Sequence, residues 1–154
     1  DFFIEKKIIK IAEKSWDERP LNIEQIALID EFGQAIEGYY YKVSSQGNLI
    51  GWMAGRRILD NYLNYFPVFL LDANFTVTKA AIVEMNTIRG AEISSRSWLK
   101  QFIGFSGEQI RYGKEINAVT GATLSGLSMV REVQEIRTNI MKADRTATGT
   151  ILGQ

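Results

Sequence analysis

The chain has 154 residues, 45% of them hydrophobic and 23% charged, and its 18 Lys and Arg balance 18 Asp and Glu. Size and composition predict one globular domain with a core of its own, and zero net charge argues against a polyanion-binding face, so no nucleic-acid partner is expected. With neither Cys nor His in the chain, disulfides, Cys/His zinc sites, thiol nucleophiles and histidine acid–base chemistry are excluded, and any redox chemistry needs an organic cofactor.

No stretch approaches the roughly 20 apolar residues that span a bilayer. The sequence opens at Asp1 rather than Met, which reads as a processed or truncated product whose signal or anchor has been removed. From Phe2 to Trp16, apolar Phe3, Ile4, Ile8, Ile11 and Ala12 recur at three- and four-residue steps among charged residues, which predicts an amphipathic helix. Pro20 interrupts that pattern, and Ile23 to Ile29 reads as a short helical turn or an irregular packed stretch. Tyr39–Val43 and Leu49–Ala54 are β-rich runs divided by a polar turn, and Val68–Leu71 and Thr76–Met85 repeat the arrangement around Asp72-Ala73-Asn74. These two hairpins predict an antiparallel sheet, with aromatic Asn61 to Pro67 as a loop across one edge.

Ser94 to Ser97 introduces a short helix with Trp98, Leu99 and Phe102 turned inward, and Gly104, Gly107 and Gly113 mark the loop after it. Leu124, Leu127, Val130, Val133, Ile136 and Ile140 then define the strongest helix, from Thr123 to about Met141. The expected fold is α+β, a single domain with an antiparallel sheet flanked by helices and a long C-terminal helix. It divides into an N-terminal helical segment (1–37), the main body (38–142) and a tail (143–154).

Asn117-Ala-Val-Thr-Gly-Ala-Thr-Leu-Ser125 is the most informative segment, because small residues and hydroxyls cluster where the long helix starts. Unpaired N–H groups and the positive end of the dipole make a helix N-terminus receptive to phosphate. Gly121 and Ala122 allow close approach to the backbone, and Thr120 and Thr123 supply hydroxyls able to bind a phosphate or be esterified by one. The plain alternative is a Thr or Ser helix cap behind a glycine turn.

This segment resembles the flavinylation motif of the FMN-binding domain family, which includes the flavin-bearing small subunits of Rnf complexes and of sodium-translocating NADH:quinone reductases. Gln46 to Gly51, Arg89-Gly90-Ala91-Glu92-Ile93 and Trp98 to Gly104 are similar to further family features in order and spacing, covering about residues 38 to 137. One departure is Asn86-Thr87, where the family often has Glu followed by Thr or Ser. The resemblance implies FMN attached by a phosphoester to Thr123, a bond installed by a dedicated flavin transferase. It implies cofactor contacts from Asn117, Thr120, Gly121, Ala122, Leu124, Ser125, Thr87, Arg89 and Gly90. It further implies an extracytoplasmic electron carrier serving a membrane redox complex or an exported electron carrier.

Among other residues, Trp98 reads as core in preference to a ring-stacking partner, and Tyr62, Tyr65 and Phe66 either shield a ring or pack as a loop. The carboxylate pairs Asp17-Glu18, Asp30-Glu31 and Glu132/Glu135 read as solvated charges, with the last pair on the polar face of the final helix. Two other functional readings stand beside the carrier: a flavin-free binding or assembly module, and an FMN-dependent reductase of a small substrate.

Overall fold

The structure, a computed structural model, describes residues 1–87 and 90–147. The Asp1 carboxylate accepts the N–H groups of Phe3 and Ile4 at 2.8 and 3.4 Å, capping helix α1 (Phe2–Ser15). Ile4, Ile8 and Ala12 then fall on one stripe of α1 and are buried against a sheet.

That sheet has six antiparallel strands: β1 (Asn22–Ile26), β2 (Tyr39–Ser45), β3 (Asn48–Gly55), β4 (Ile58–Leu59), β5 (Asn64–Asp72) and β6 (Val77–Met85). The order is β1-β2-β3-β5-β6, and the two-residue β4 continues the row of β3 alongside the start of β5, with Ile58 opposite Tyr65. Both predicted hairpins are present.

Two expectations are corrected. Asn64 to Pro67, expected within a loop, opens β5, which lies inside the sheet and is buried on both faces. Tyr65, Phe69 and Leu71 enter one core layer while Phe66, Val68 and Leu70 enter the other. Pro67 is accommodated because the register with β6 shifts between Phe66 and Pro67. The second correction is at Asn22–Ile26, which is neither a helical turn nor an irregular stretch but an edge strand paired with β2.

On the face away from α1, a 3-10 turn (Ala91–Ser94), helix α2 (Arg96–Leu99) and a second 3-10 turn (Lys100–Phe102) carry Ile93, Trp98, Leu99 and Phe102 into the core, as expected for the last three. The Ser95 hydroxyl caps α2 by accepting the Trp98 N–H. Helix α3 (Thr123–Ala147) adds Met129, Val133, Ile136 and Ile140 to the same layer. It starts at the predicted residue and runs two turns past the predicted end. Residues 148–154 of the predicted tail lie outside the described residues. The fold is therefore α+β, one domain in which the sheet is sandwiched between α1 and the α2–α3 layer.

Candidate functional site

The segment leading into α3 is shaped from outside itself. Trp98 Nε1 donates to the Asn117 carbonyl at 2.8 Å, and the Asn117 N–H donates to Gln101 Oε1 at 2.8 Å. Two residues on, the Tyr112 hydroxyl accepts the Val119 N–H at 2.7 Å and lies 3.3 Å from the Val119 carbonyl, to which it donates. The Ala122 N–H then closes a turn on the Val119 carbonyl at 3.0 Å. Gly121, third in that turn, has φ +81°, a left-handed backbone that a side chain would strain.

This turn delivers the chain into α3 with Thr120, Gly121, Thr123 and Leu124 exposed and Ala122 and Ser125 buried. Ala122, not a hydroxyl residue, precedes the first helical residue, and neither Thr120 nor Thr123 offers its hydroxyl to a partner among the described residues. The first regular bond of the helix runs from the Gly126 N–H to the Ala122 carbonyl at 2.8 Å. The N–H groups of Thr123, Leu124 and Ser125 have no acceptor among the described residues, as expected for the opening turn of a helix without a side-chain cap.

The glycine loop after β6 meets this turn. Gly90 (φ +92°) packs so tightly on α3 that a Cβ there would lie 3.2 Å from Ser125 Cβ and 3.6 Å from Ala122 Cα. Ser125 is thus covered by Gly90 and its side chain does not reach the surface. Thr87 is buried too, and its hydroxyl accepts the Asn64 N–H at 2.9 Å, which ties the end of β6 to the start of β5. Arg89 lies outside the described residues. Asn117, Thr120, Gly121, Ala122, Thr123, Leu124, Ser125 and Gly90 are therefore gathered at one place, and Thr87 serves the strand ends.

From Leu124, the residue after Thr123, a groove of about 410 Å³ runs along α3. Leu124, Leu127, Ser128 and Arg131, at helical spacing, form one wall; Ile58, Asp60, Tyr62 and Leu63 form the other. Leu124, Leu127 and Tyr62 are 55%, 45% and 75% exposed, so the groove opens onto an apolar surface. The aromatic trio of the sequence divides here: Tyr62 lines the groove, while Tyr65 and Phe66 are buried in opposite core layers. Trp98 is core as well, with its ring edge-on to Phe102.

At the far end of the groove lies an ion cluster. The reading of Glu132 as a solvated charge is corrected: the residue is 2% exposed, because Arg56, which follows β3, meets it with two N–H donors at 2.7 Å each. Arg56 also pairs with Glu135. Burial holds the Glu132 carboxyl above its ordinary value even with Arg56 beside it. Arg131, on the same wall, has no ion-pair partner among the described residues. Sequence reasoning missed the Arg56 cluster because its partners are 76 and 79 residues apart, and an Arg-Arg pair after a strand carries no pairing signal of its own. Tyr112 was likewise unmarked in the sequence, since a single Tyr in a glycine loop fits no motif.

No group of three or more acidic residues able to hold a metal ion occurs among the described residues. No family model, curated protein or solved structure matches the chain. The likeness to FMN-binding domains therefore rests on the short sequence motifs alone.

Proposed function

We propose that this domain carries FMN as a phosphoester of Thr123 and relays electrons between protein partners. The observation that carries the reading is the exposed Thr123 at the opening of the longest helix, next to a groove whose apolar wall begins at Leu124. Three features of the surroundings fit the group. A phosphodiester retains one negative charge, which the unpaired N–H groups and dipole of α3 stabilise by about 0.3–1 kcal/mol. A Cβ at Gly121 would meet nothing within 4 Å, so the backbone of the turn before Thr123 is open to close approach. The groove falls within the range of about 300–1,000 Å³ typical of small-molecule sites.

Attachment needs an activated donor, because direct condensation of a phosphate with an alcohol is unfavourable in water. With a phosphoanhydride of FMN, the Thr123 Oγ–P bond forms as the donor's P–O–P bond breaks. The hydroxyl proton is lost to a base of the transferase, and the other phosphate leaves. The bound flavin supplies the redox chemistry. This chain's own part would be to present the Thr123 hydroxyl, to stabilise the phosphate charge at the opening of α3, and to offer Leu124, Leu127 and Tyr62 as an apolar surface for the ring. Covalent retention removes the need for a closed pocket, and an open groove leaves a carrier's ring within reach of its partners. The same openness disfavours a reductase, which would enclose its substrate beside the ring.

The competing helix-cap reading is disfavoured by Ala122 in the capping position. Co-expression with a flavin transferase under export conditions tests the proposal through intact mass. The parent is expected to gain the mass of FMN less one water, and Thr123→Ala to gain nothing; a parent left unmodified, while a known family member in the same cells is modified, would overturn it. The extracytoplasmic setting and the membrane redox complex or exported carrier as partner belong to the same proposal.

A further inference from the structure

The surface turn before α3 is held at two separate backbone positions by side chains that belong to neither the turn nor the helix. Exposed turns ordinarily leave their backbone groups to water, so two such attachments within three residues specify a conformation. Gln101 is itself oriented, its Nε2 donating to the Trp98 carbonyl at 3.0 Å, so Trp98 and Gln101 form one unit holding both polar groups of Asn117. Tyr112 holds both polar groups of Val119 through one hydroxyl. Its ring packs against Gly126 in the first turn of α3, where a Cβ would stand within 2.7 Å of three ring carbons. Tyr112 thus locks the turn and the helix opening to one another.

Resting on the reading of Thr123 as the flavin acceptor, we propose that Trp98, Gln101 and Tyr112 are positioning residues for the modification. They hold Asn117 to Ala122 in the one shape from which the Thr123 hydroxyl enters a flavin transferase. None of the three touches the hydroxyl; they act through the backbone. Without the clamps the competent shape is one of many, and the transferase's apparent affinity for the chain falls by the fraction lost. Losing the Tyr112 hydroxyl removes two hydrogen bonds, enough to lower that fraction about tenfold.

Tyr112→Phe keeps the ring over Gly126 and removes only the hydroxyl; Gln101→Ala removes the acceptor for Asn117. Each is assayed as the flavin-free full chain, well below its melting temperature, with a purified flavin transferase and flavin adenine dinucleotide as donor. The expected result is a KM for the chain raised about tenfold in Tyr112→Phe with kcat unchanged. Faster amide exchange confined to residues 117–122 should accompany it, a pattern that a general loss of stability would not produce. Parent-like KM and exchange in both variants would overturn the positioning role while leaving the acceptor reading intact. A parent that accepts no flavin at all would overturn both.

Discussion

Tyr41 carries a hydroxyl into the layer between α1 and the sheet, where it is buried with no hydrogen-bond partner among the described residues. Burial, with Glu5 adding to it, pushes the phenol up to about 12, so the group stays neutral throughout the physiological range. An unsatisfied hydroxyl in an apolar layer costs folding energy that a phenylalanine ring would not. Tyr41→Phe is therefore expected to raise stability by about 1 kcal/mol in chemical denaturation, and a loss of stability would show that the hydroxyl has a partner. Thr123 presents the opposite case: its hydroxyl is at the surface, outside any cap, and replacing it should cost little stability while abolishing flavin attachment.

Between elements, the Arg56–Glu132–Glu135 cluster pins the middle of α3 to the chain just after β3. The Glu132 carboxyl has its folded pKa above the ordinary 4.5, so the folded state binds that proton more tightly than the unfolded chain does. Its contribution favours folding below the unfolded pKa and is lost as pH rises through the raised value. The stability of the parent relative to Glu132→Gln should accordingly fall as pH rises from about 4.5 toward neutrality. Denaturation at a series of pH values checks this, and a difference that stayed flat or grew with pH would contradict it.

The same elements show what could be seen in the sequence. Helix α3 was legible from its core spacing as far as Ile140; beyond it Met141 to Arg145 are only partly buried or exposed, so no apolar period marks the last turns. Strand β1 was missed because Ile23 and Ile26 stand three residues apart, a helical step, on an edge strand with little burial to impose alternation. The start of β5 was missed because burial on both faces erases the polar alternation and Pro67 reads as a breaker. At the candidate site, the turn residues and Thr123 were legible from local chemistry. The Tyr112 clamp and the Arg56 cluster depend on contacts between distant segments, and a single sequence does not display those.

At the scale of the molecule, the two faces of the sheet are put to different ends. The α1 face is closed mainly by apolar packing, whereas the α3 face combines a core with an open groove and an exposed threonine one residue before Leu124 in its wall. Among the described residues no helix is long and apolar enough to cross a membrane. A cofactor tethered at the rim of such a groove would be retained by its bond and remain open to other proteins, which is the behaviour proposed for this chain.

The atom that accepts the flavin is identified most directly by peptide mapping of the flavinylated chain. Trypsin cleavage after Lys114 and Arg131 releases a peptide containing Thr120, Thr123, Ser125 and Ser128. Fragmentation is predicted to place FMN, less one water, on Thr123 alone. A flavin found on Thr120 or either serine, or a peptide without flavin from cells that modify a known family member, would contradict the account.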